Sequence, residues 1–282
     1  MKLLRYGKEG FEKPGMLDAD GKIRDLSKIV KQIDWSVISP EGQTRLKKVD
    51  INRLPVVNGT PRLGVPYVGI TKFVAIGLNY SDHAAESGMP IPKEPIVFLK
   101  ATSCISGPYD NVMLPKDSVK SDWEVELGVV IGRRARHVSE SRALDYVAGY
   151  TVVNDVSERE WQLERGGSWD KGKGCDTFGP IGPYLVTADE IQDPQGLEMF
   201  LDVNGKRMQT GNTGKMIFGV AKIISYVSQC MTLMPGDIIA TCTPPGVGLG
   251  MKPPQFLQGG DVMRLGIAKL GEQQQKVVPF GI

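Results

Sequence analysis

Short runs of apolar and β-branched residues recur along this chain, and they restrict its fold more than any other sequence feature. Turn residues separate these runs, which read KFVAIGL, PIVFLK, EVELGVVIG, YVAGYTVVND, MFLDVNGKRMQ, GDIIATCT and VMRLGIAKLG. Runs of this length bounded by Gly, Pro, Asn and Asp are typical of strands. Helical periodicity is limited to residues 81–87, 139–145, 157–165 and 216–229. The sequence therefore predicts a β-rich α+β fold, not a doubly wound parallel sheet.

The leading residues read as a separate small module. An Asp20-Gly21 pair between two short apolar stretches favours a hairpin, and an Asn204-Gly205 pair gives the same signal later in the chain. Three prolines in the segment NRLPVVNGTPRLGVP indicate an irregular connector. The sequence therefore predicts a small N-terminal domain with its connector at residues 1–66 and a main domain at residues 67–282.

Charge and composition exclude several classes of partner. The 34 basic and 32 acidic residues leave a formal charge of +2, with no long run of one sign, so neither nucleic acid nor an acidic membrane surface is expected. Charged residues and a proline interrupt the N-terminus, and no stretch approaches the roughly 18 apolar residues of a membrane helix. Four scattered cysteines form no disulfide or zinc pattern. We therefore expect a soluble cytoplasmic protein with inert thiols.

Two glutamates interrupt the apolar run DWEVELGVVIG. Glu124 and Glu126 are two residues apart, so on a strand both side chains point to the same face, with Cα atoms roughly 7 Å apart. Burying two like charges this close is unfavourable unless a cation or a proton lies between them. A divalent metal would remove the conflict, but it needs a further oxygen ligand.

Asp155 is the candidate third ligand, because it ends the apolar run GYTVVND and begins a polar segment. Three carboxylates without cysteine favour a hard cation, Mg²⁺, Mn²⁺ or Ca²⁺, with water completing the shell. The alternative is that Glu124 and Glu126 lie on the solvated face of an edge strand while Asp155 caps a helix. The pattern of these residues alone leaves both interpretations open.

A second group of polar residues lies in the segment GLNYSDHAAESGMP. Ser81 is a candidate N-cap for a short helix, and on that helix His83 and Glu86 occupy positions i and i+3 of one face. The carboxylate can orient the imidazole, which suits a general base that activates water. The alternative is an exposed helix with a capping histidine. His137 lies among arginines and is expected on the surface.

Basic residues supply candidates for binding an anion. Lys100 ends the run PIVFLK, and Lys173 lies in the glycine-rich GGSWDKGKGCDTFGP, which lacks the full phosphate-loop pattern. Lys100 and Lys173 could both face an anionic substrate, although most lysines are simply solvated. Thr243 and the loop amides of TCTPPGVG could hold a carboxylate.

Together these segments resemble the fumarylacetoacetate hydrolase family, over roughly three-quarters of the chain from about Lys72. The ExE pair followed by Asp is the most specific element. The matching segments, in order, are NYSDHAAE, EPIVFLK, DWEVELGVVIG, GYTVVNDVSEREWQ, the Lys173 segment, MIFGVAKIISYVSQ, LMPGDIIATCTPPGVG and GDVMRLGI. The resemblance implies a mixed β-sandwich roll, a catalytic domain at residues 67–282 and a homodimer.

The resemblance also implies roles for individual residues. By this resemblance Glu124, Glu126 and Asp155 match the metal ligands, for Mg²⁺ or Mn²⁺. His83 and Glu86 match the pair that activates water, on a segment that closes as a lid. Lys173 matches a catalytic residue that steadies the anionic end of the substrate. The positions that match substrate-contacting or pocket-shaping residues are Lys100, Arg159, Gln162, Lys173 and Thr243.

Two positions depart from the family pattern. Longer fumarylacetoacetases have a further aspartate ligand near the start of the lid, where this chain has Asn79. The usual TGTP reads TCTP, so Cys242 replaces a glycine. Both departures argue against fumarylacetoacetate itself as the substrate.

The implied activity is hydrolytic carbon–carbon cleavage of a small-molecule 2,4-diketo acid of the acylpyruvate type. Among bacterial members the resemblance points to 2,4-diketo-3-deoxy sugar acids from L-rhamnonate or L-fuconate, which give pyruvate and a hydroxy acid such as lactate. Oxaloacetate decarboxylation, isomerisation of hydroxy-dienedioates and ureidoglycolate cleavage are alternatives on the same scaffold. A metal-binding protein that has only kept the fold is the non-enzyme alternative.

Overall fold

The computed structural model describes residues 1–88 and 90–281, and strands dominate these ranges, as the sequence predicts. The strands in the first half are β1 (Lys2–Tyr6), β2 (Lys13–Leu17), β3 (Ile23–Asp25), β4 (Leu63–Gly64), β5 (Phe73–Gly77), β6 (Ile96–Lys100), β7 (Ile105–Ser106), β8 (Val112–Met113), β9 (Ser121–Asp122) and β10 (Val125–Ile131). Those in the second half are β11 (Val147–Asn154), β12 (Ser157–Glu158), β13 (Gly179–Thr187), β14 (Glu198–Val203), β15 (Lys206–Asn212), β16 (Ile238–Ala240), β17 (Val262–Ile267) and β18 (Gly271–Val278).

The helices are short. They are α1 (Trp35–Ile38), α2 (Pro40–Leu46), α3 (Ser81–Ser87), α4 (Arg159–Leu163), α5 (Asp170–Lys173) and α6 (Val220–Cys230). Turns of 3-10 helix occur at Ile51–Arg53, Thr102–Cys104, Glu140–Tyr146, Ala188–Glu190, Thr213–Lys215 and Gly248–Gly250. Each predicted helical segment thus contains a helix or a 3-10 turn. Ser81 is the first residue of α3 and not its cap, because its hydroxyl bonds to the Lys215 carbonyl.

Strand β10 lies in the interior of the larger sheet, whose order is β3-β2-β1-β13-β11-β10-β16-β5-β6. It pairs antiparallel with β11 on one side and with β16 on the other. All its residues are buried, which explains the β-branched, apolar character of the run. The edge-strand alternative for the glutamate pair is therefore excluded.

A smaller sheet, ordered β15-β14-β17-β18-β8, packs against the larger one. Buried glutamines join the two sheets. The amide oxygen of Gln209 accepts a hydrogen bond from the Val125 N–H at 3.0 Å, and the amide nitrogen of Gln273 donates to the Val152 carbonyl at 2.8 Å. Because these polar groups are fully buried and paired, they fix how the smaller sheet sits on β10 and β11.

The N-terminal strands extend the larger sheet. β1 pairs with β13, with Lys2 opposite Val186, and β2 and β3 form the hairpin predicted at Asp20-Gly21. The Asn204-Gly205 hairpin, between β14 and β15, is also confirmed. The division into domains at residues 1–66 and 67–282 stays a prediction. Within the described residues, no helix combines the length and apolarity needed to cross a membrane.

Candidate metal centre and active site

Three carboxylates meet at one end of the central strand pair. Glu124 precedes β10, Glu126 lies within it, and Asp155 follows β11 directly. The antiparallel register places Val125 opposite Asn154, and the Asp155 N–H donates to the Glu124 carbonyl at 2.9 Å. One oxygen from each carboxylate lies within 4.8 Å of the others, and all three side chains are buried. The structure thus brings the three predicted ligands together.

Basic side chains surround two of these carboxylates. The Lys173 ammonium lies 2.6 Å from oxygens of both Glu124 and Asp155, and the Arg159 guanidinium donates to Glu124 at 2.6 Å. Burial opposes ionisation of Glu124, but Arg159 and Lys173 hold its pKa well below the ordinary value. Burial likewise opposes the charge on Lys173, yet Asp155 and Glu124 raise its pKa to about 12. Glu124 and Lys173 are therefore charged near neutral pH.

Glu126 has no such compensation. Among the described residues it forms no ion pair, and its carboxylate accepts a hydrogen bond from the Cys242 N–H at 2.9 Å. Burial, then the charges of Asp155 and Glu124, raise its pKa well above the ordinary value. A buried carboxylate with two carboxylate neighbours suits a divalent cation, which would replace the proton. The three oxygens therefore fit the predicted Mg²⁺ or Mn²⁺, which Glu124, Glu126 and Asp155 would hold.

The predicted water-activating pair lies above the carboxylates. His83 Nδ1 is 3.1 Å from a Glu86 carboxylate oxygen, as expected for positions i and i+3 of α3. Glu86 also accepts a hydrogen bond from the Gly246 N–H at 3.2 Å, which docks α3 onto the loop after β16. His83 and Glu86 line a cavity of about 420 Å³ together with Glu124 and Glu126. The alternative of a capping histidine on an exposed helix does not describe this arrangement.

The other predicted substrate positions divide into two groups. Arg159, Gln162 and Lys173 line the cavity. Lys100 and Thr243 are buried behind it: the Lys100 ammonium donates to Asp155 at 2.6 Å, and the Thr243 hydroxyl donates to the Val125 carbonyl at 2.8 Å. These two residues therefore shape the site through other residues and do not line the cavity.

The two departures from the family pattern are neighbours in space. The Asn79 amide is fully buried and bonds to the backbone of Phe218 and Thr241, so it braces the fold and is not directed at the carboxylates. The Asn79 N–H donates to the Cys242 sulfur at 3.2 Å. Cys242 has a φ of 78°, a conformation that favours the glycine it replaces. Burial, then Glu126, raise the pKa of its thiol, which fits an inert cysteine.

Sequence reasoning missed Asp122, which connects the carboxylates to the cavity rim. Its buried carboxylate accepts hydrogen bonds from Arg159 Nε at 2.9 Å and from the N–H groups of Gly248 and Leu249 at 2.7 and 3.0 Å. The same arginine contacts Glu124 and donates to the Gln162 amide oxygen at 3.0 Å. A signal was present, because acidic residues at 122, 124 and 126 follow the period of a strand.

Comparison with known proteins gives the family of this chain. The fumarylacetoacetate (FAA) hydrolase C-terminal family matches residues 72–278. A protein of Burkholderia lata that is provisionally named a hydrolase is 63% identical over 276 residues, which cover 98% of each chain. The fumarylacetoacetate hydrolase of Exiguobacterium antarcticum is 35% identical, with a TM-score of 0.89 over 99% of each chain.

Two further solved structures differ in their chemistry. A maleylpyruvate hydrolase from Sphingobium sp. SYK-6, solved with manganese(II) and pyruvate, is 30% identical, with a TM-score of 0.82 over 99% of each chain. A 2-hydroxyhepta-2,4-diene-1,7-dioate isomerase from Mycobacterium marinum is 31% identical, with a TM-score of 0.76 over the full length of both chains.

The matched family and its solved hydrolases, one of which contains manganese(II), place this chain among enzymes. This protein belongs to the fumarylacetoacetate hydrolase family.

Proposed function

We propose that this enzyme hydrolyses the C3–C4 bond of a 2,4-diketo acid, releasing pyruvate and the carboxylic acid of the acyl part. One observation carries the proposal: three buried carboxylates lie within 4.8 Å of one another, and two of them, Glu124 and Glu126, line a cavity that a His–Glu pair also lines. The first element suits binding of a keto acid beside a metal, and the second suits activation of water. The manganese and pyruvate found in the Sphingobium hydrolase support the same combination.

The divalent cation, held by Glu124, Glu126 and Asp155, would supply a positive charge that stabilises the enolate leaving group. Lys173 and Arg159 are positively charged and line the same cavity as Glu124 and Glu126, and they would orient the substrate carboxylate. Gln162 offers a further polar group to the substrate. Arg159 donates a hydrogen bond to the Gln162 amide oxygen, while the Gln162 amide nitrogen has no hydrogen-bond partner within residues 1–88 and 90–281. That nitrogen can donate to a substrate oxygen.

His83 acts as the general base. In this mechanism the His83 Nδ1–H donates a hydrogen bond to the Glu86 carboxylate, which leaves Nε2 as the basic nitrogen of the neutral ring. His83 takes a proton from water as the water oxygen bonds to C4 of the substrate. The C3–C4 bond then breaks, its electron pair forms the pyruvate enolate, and His83 returns the proton to C3. The products are pyruvate and the carboxylic acid derived from C4 and its tail.

The principal alternative is isomerisation of a hydroxy-dienedioate, which the Mycobacterium marinum structure brings into consideration. Oxaloacetate decarboxylation and ureidoglycolate cleavage remain further candidates. The His83–Glu86 pair favours hydrolysis, because among these reactions only hydrolysis requires a base for water. A 2,4-diketo-3-deoxy sugar acid remains the substrate predicted from the family resemblance, and a homodimer the predicted assembly.

The test compares two reactions in the same variants. Pyruvate release from acylpyruvates and decarboxylation of oxaloacetate would be measured with Mg²⁺ or Mn²⁺. We expect His83→Gln to lose hydrolysis by about 100-fold or more and to keep decarboxylation, since a general base contributes that much. Glu126→Ala should lose both reactions.

His137 provides the matched control. It is exposed and has a φ of 50°, which asparagine tolerates, so His137→Asn should keep both reactions. Unchanged hydrolysis in His83→Gln would refute the role of the pair. Conversion of a hydroxy-dienedioate without pyruvate release from any diketo acid would favour the isomerase. Metal binding without turnover of any substrate would revive the non-enzyme alternative.

A further inference from the structure

The exposure of the lining residues orients the cavity. Glu124 and Glu126 form its buried end, with 6% and 1% of their surfaces exposed. Leu163 and Leu249, which also line the cavity, are 48% and 38% exposed, and Lys252 is exposed as well. A diketo acid bound with its keto-acid end at the carboxylates therefore directs its acyl tail toward these three residues.

The wall between the two ends is mainly carbon. Phe98 and Trp169 pack edge to face with ring centres 5.4 Å apart, and the Lys173 ammonium lies 5.2 Å from the Phe98 ring centre. Val247 and Met251 contribute from the loop after β16. This wall offers few hydrogen-bond partners, so hydroxyl groups on a bound tail would lose their water without replacement.

The cations that line the cavity are not equivalent. Arg159 pairs with Asp122 and Glu124, and Lys173 pairs with Glu124 and Asp155. Lys252 lines the same cavity but forms no ion pair in the part of the chain that the structure describes. Within the described residues this ammonium has no carboxylate partner, and it lines the same cavity as two exposed leucines, which favours an anion carried on an apolar chain.

We propose that Leu163, Leu249 and Lys252 form a tail subsite, which selects an acyl tail made of an apolar chain that ends in a carboxylate. Lys252 is the residue that determines specificity, because it pairs with the terminal carboxylate while the leucines contact the chain. The inference rests on the proposed function, and it favours a dicarboxylic diketo acid over one with a polyhydroxylated tail.

The experiment compares three 2,4-dioxo acids whose tails have equal length. The first tail ends in a methyl group, the second ends in a carboxylate, and the third carries hydroxyl groups. Pyruvate release gives kcat/KM for each. We expect the carboxylate tail to be preferred over the methyl tail by about fivefold, as for an exposed ion pair, and the preference to shrink as salt screens the charge. The hydroxylated tail should be the poorest substrate.

Lys252→Met keeps an apolar side chain and removes the charge, so it should abolish the preference and its salt dependence. Lys28→Met, at an exposed lysine outside the cavity lining, is the matched control and should keep the preference. Equal use of the methyl and carboxylate tails by the native enzyme, or a preference that survives in Lys252→Met, overturns the tail subsite. No pyruvate from any of the three overturns the proposed function, and the tail subsite with it.

Discussion

Replacing Glu126 with glutamine should stabilise the metal-free protein, although it removes a proposed metal ligand. Glu126 is 1% exposed, accepts one backbone hydrogen bond, and lies beside Glu124 and Asp155. A glutamine of the same shape keeps an acceptor for the Cys242 N–H and gains an amide that can donate to the neighbouring carboxylates. We expect the free energy of unfolding to rise by about 1–3 kcal/mol in the presence of a chelator.

Glu124→Gln is the matched comparison, because the same change two residues away should have the opposite sign. Glu124 lies 2.6 Å from both the Arg159 guanidinium and the Lys173 ammonium, so the loss of its charge removes one of the two carboxylate partners of each buried cation. Breaking a buried ion pair from one side costs about 3–5 kcal/mol. An exposed glutamate, Glu9, provides the neutral control as Glu9→Gln.

The stabilisation should also depend on pH. The pKa of Glu126 is raised in the folded state, so the folded protein binds this proton more tightly than the unfolded chain does. The contribution of the protonated side chain to stability is therefore fully present below the unfolded-state pKa, near 4.3, and is lost as pH rises above it. Glutamine does not titrate, and the advantage of Glu126→Gln should therefore widen from about pH 5 to pH 8.

Thermal unfolding with a chelator and with Mn²⁺ measures these effects. For a chain of this size we expect about 2–4 °C in Tm per kcal/mol, and native protein at a metal concentration of 100 times Kd should gain about 2.7 kcal/mol. Glu126→Gln should lose most of that gain. The reasoning is refuted if the Tm of Glu126→Gln in chelator falls as far as that of Glu124→Gln, or if Mn²⁺ raises the Tm of Glu126→Gln as much as that of the native protein.

Two further predictions concern residues outside the carboxylate cluster. Asp122→Asn should lower kcat/KM by about tenfold, because it weakens a charge-assisted hydrogen bond of about 1.5–3 kcal/mol that orients Arg159 and the loop at residues 248–249. Steady-state kinetics and a thermal melting curve of the variant would check this prediction. A lower Tm with unchanged KM and kcat would assign Asp122 a structural role only. At pH 8 iodoacetamide should label exposed Cys230 well before buried Cys242, whose pKa is raised by burial, and equal labelling rates by mass spectrometry would contradict this.

Much of the local structure could be predicted from the chain. The β-rich class, both hairpins and the Ser81–Ser87 helix are confirmed, because each depends on backbone preferences within a few residues. Buried Gln273 was beyond such reasoning. It lies in a polar GEQQQK run, and its burial depends on the carbonyl groups of the opposite sheet that accept its amide.

The site shows the same division between local and distant contacts. The spacing of Glu124 and Glu126 predicts two carboxylates on one face, since a strand alternates its side chains. The antiparallel register of β10 and β11 places Asp155 beside them. Packing then places cations in contact with Glu124, whereas Glu126 forms no ion pair within residues 1–88 and 90–281.

The sequence by itself therefore determined which residue types could carry the chemistry and which of them share a strand or a helix face. Only the tertiary structure decided that His83 and Glu86 share a cavity with carboxylates of the cluster, and that Lys252 lines the same cavity. It also decided that Asp122 connects the carboxylates to the loop at Gly248. The physical reason is that contacts between distant segments depend on strand register and side-chain packing, which no local periodicity encodes.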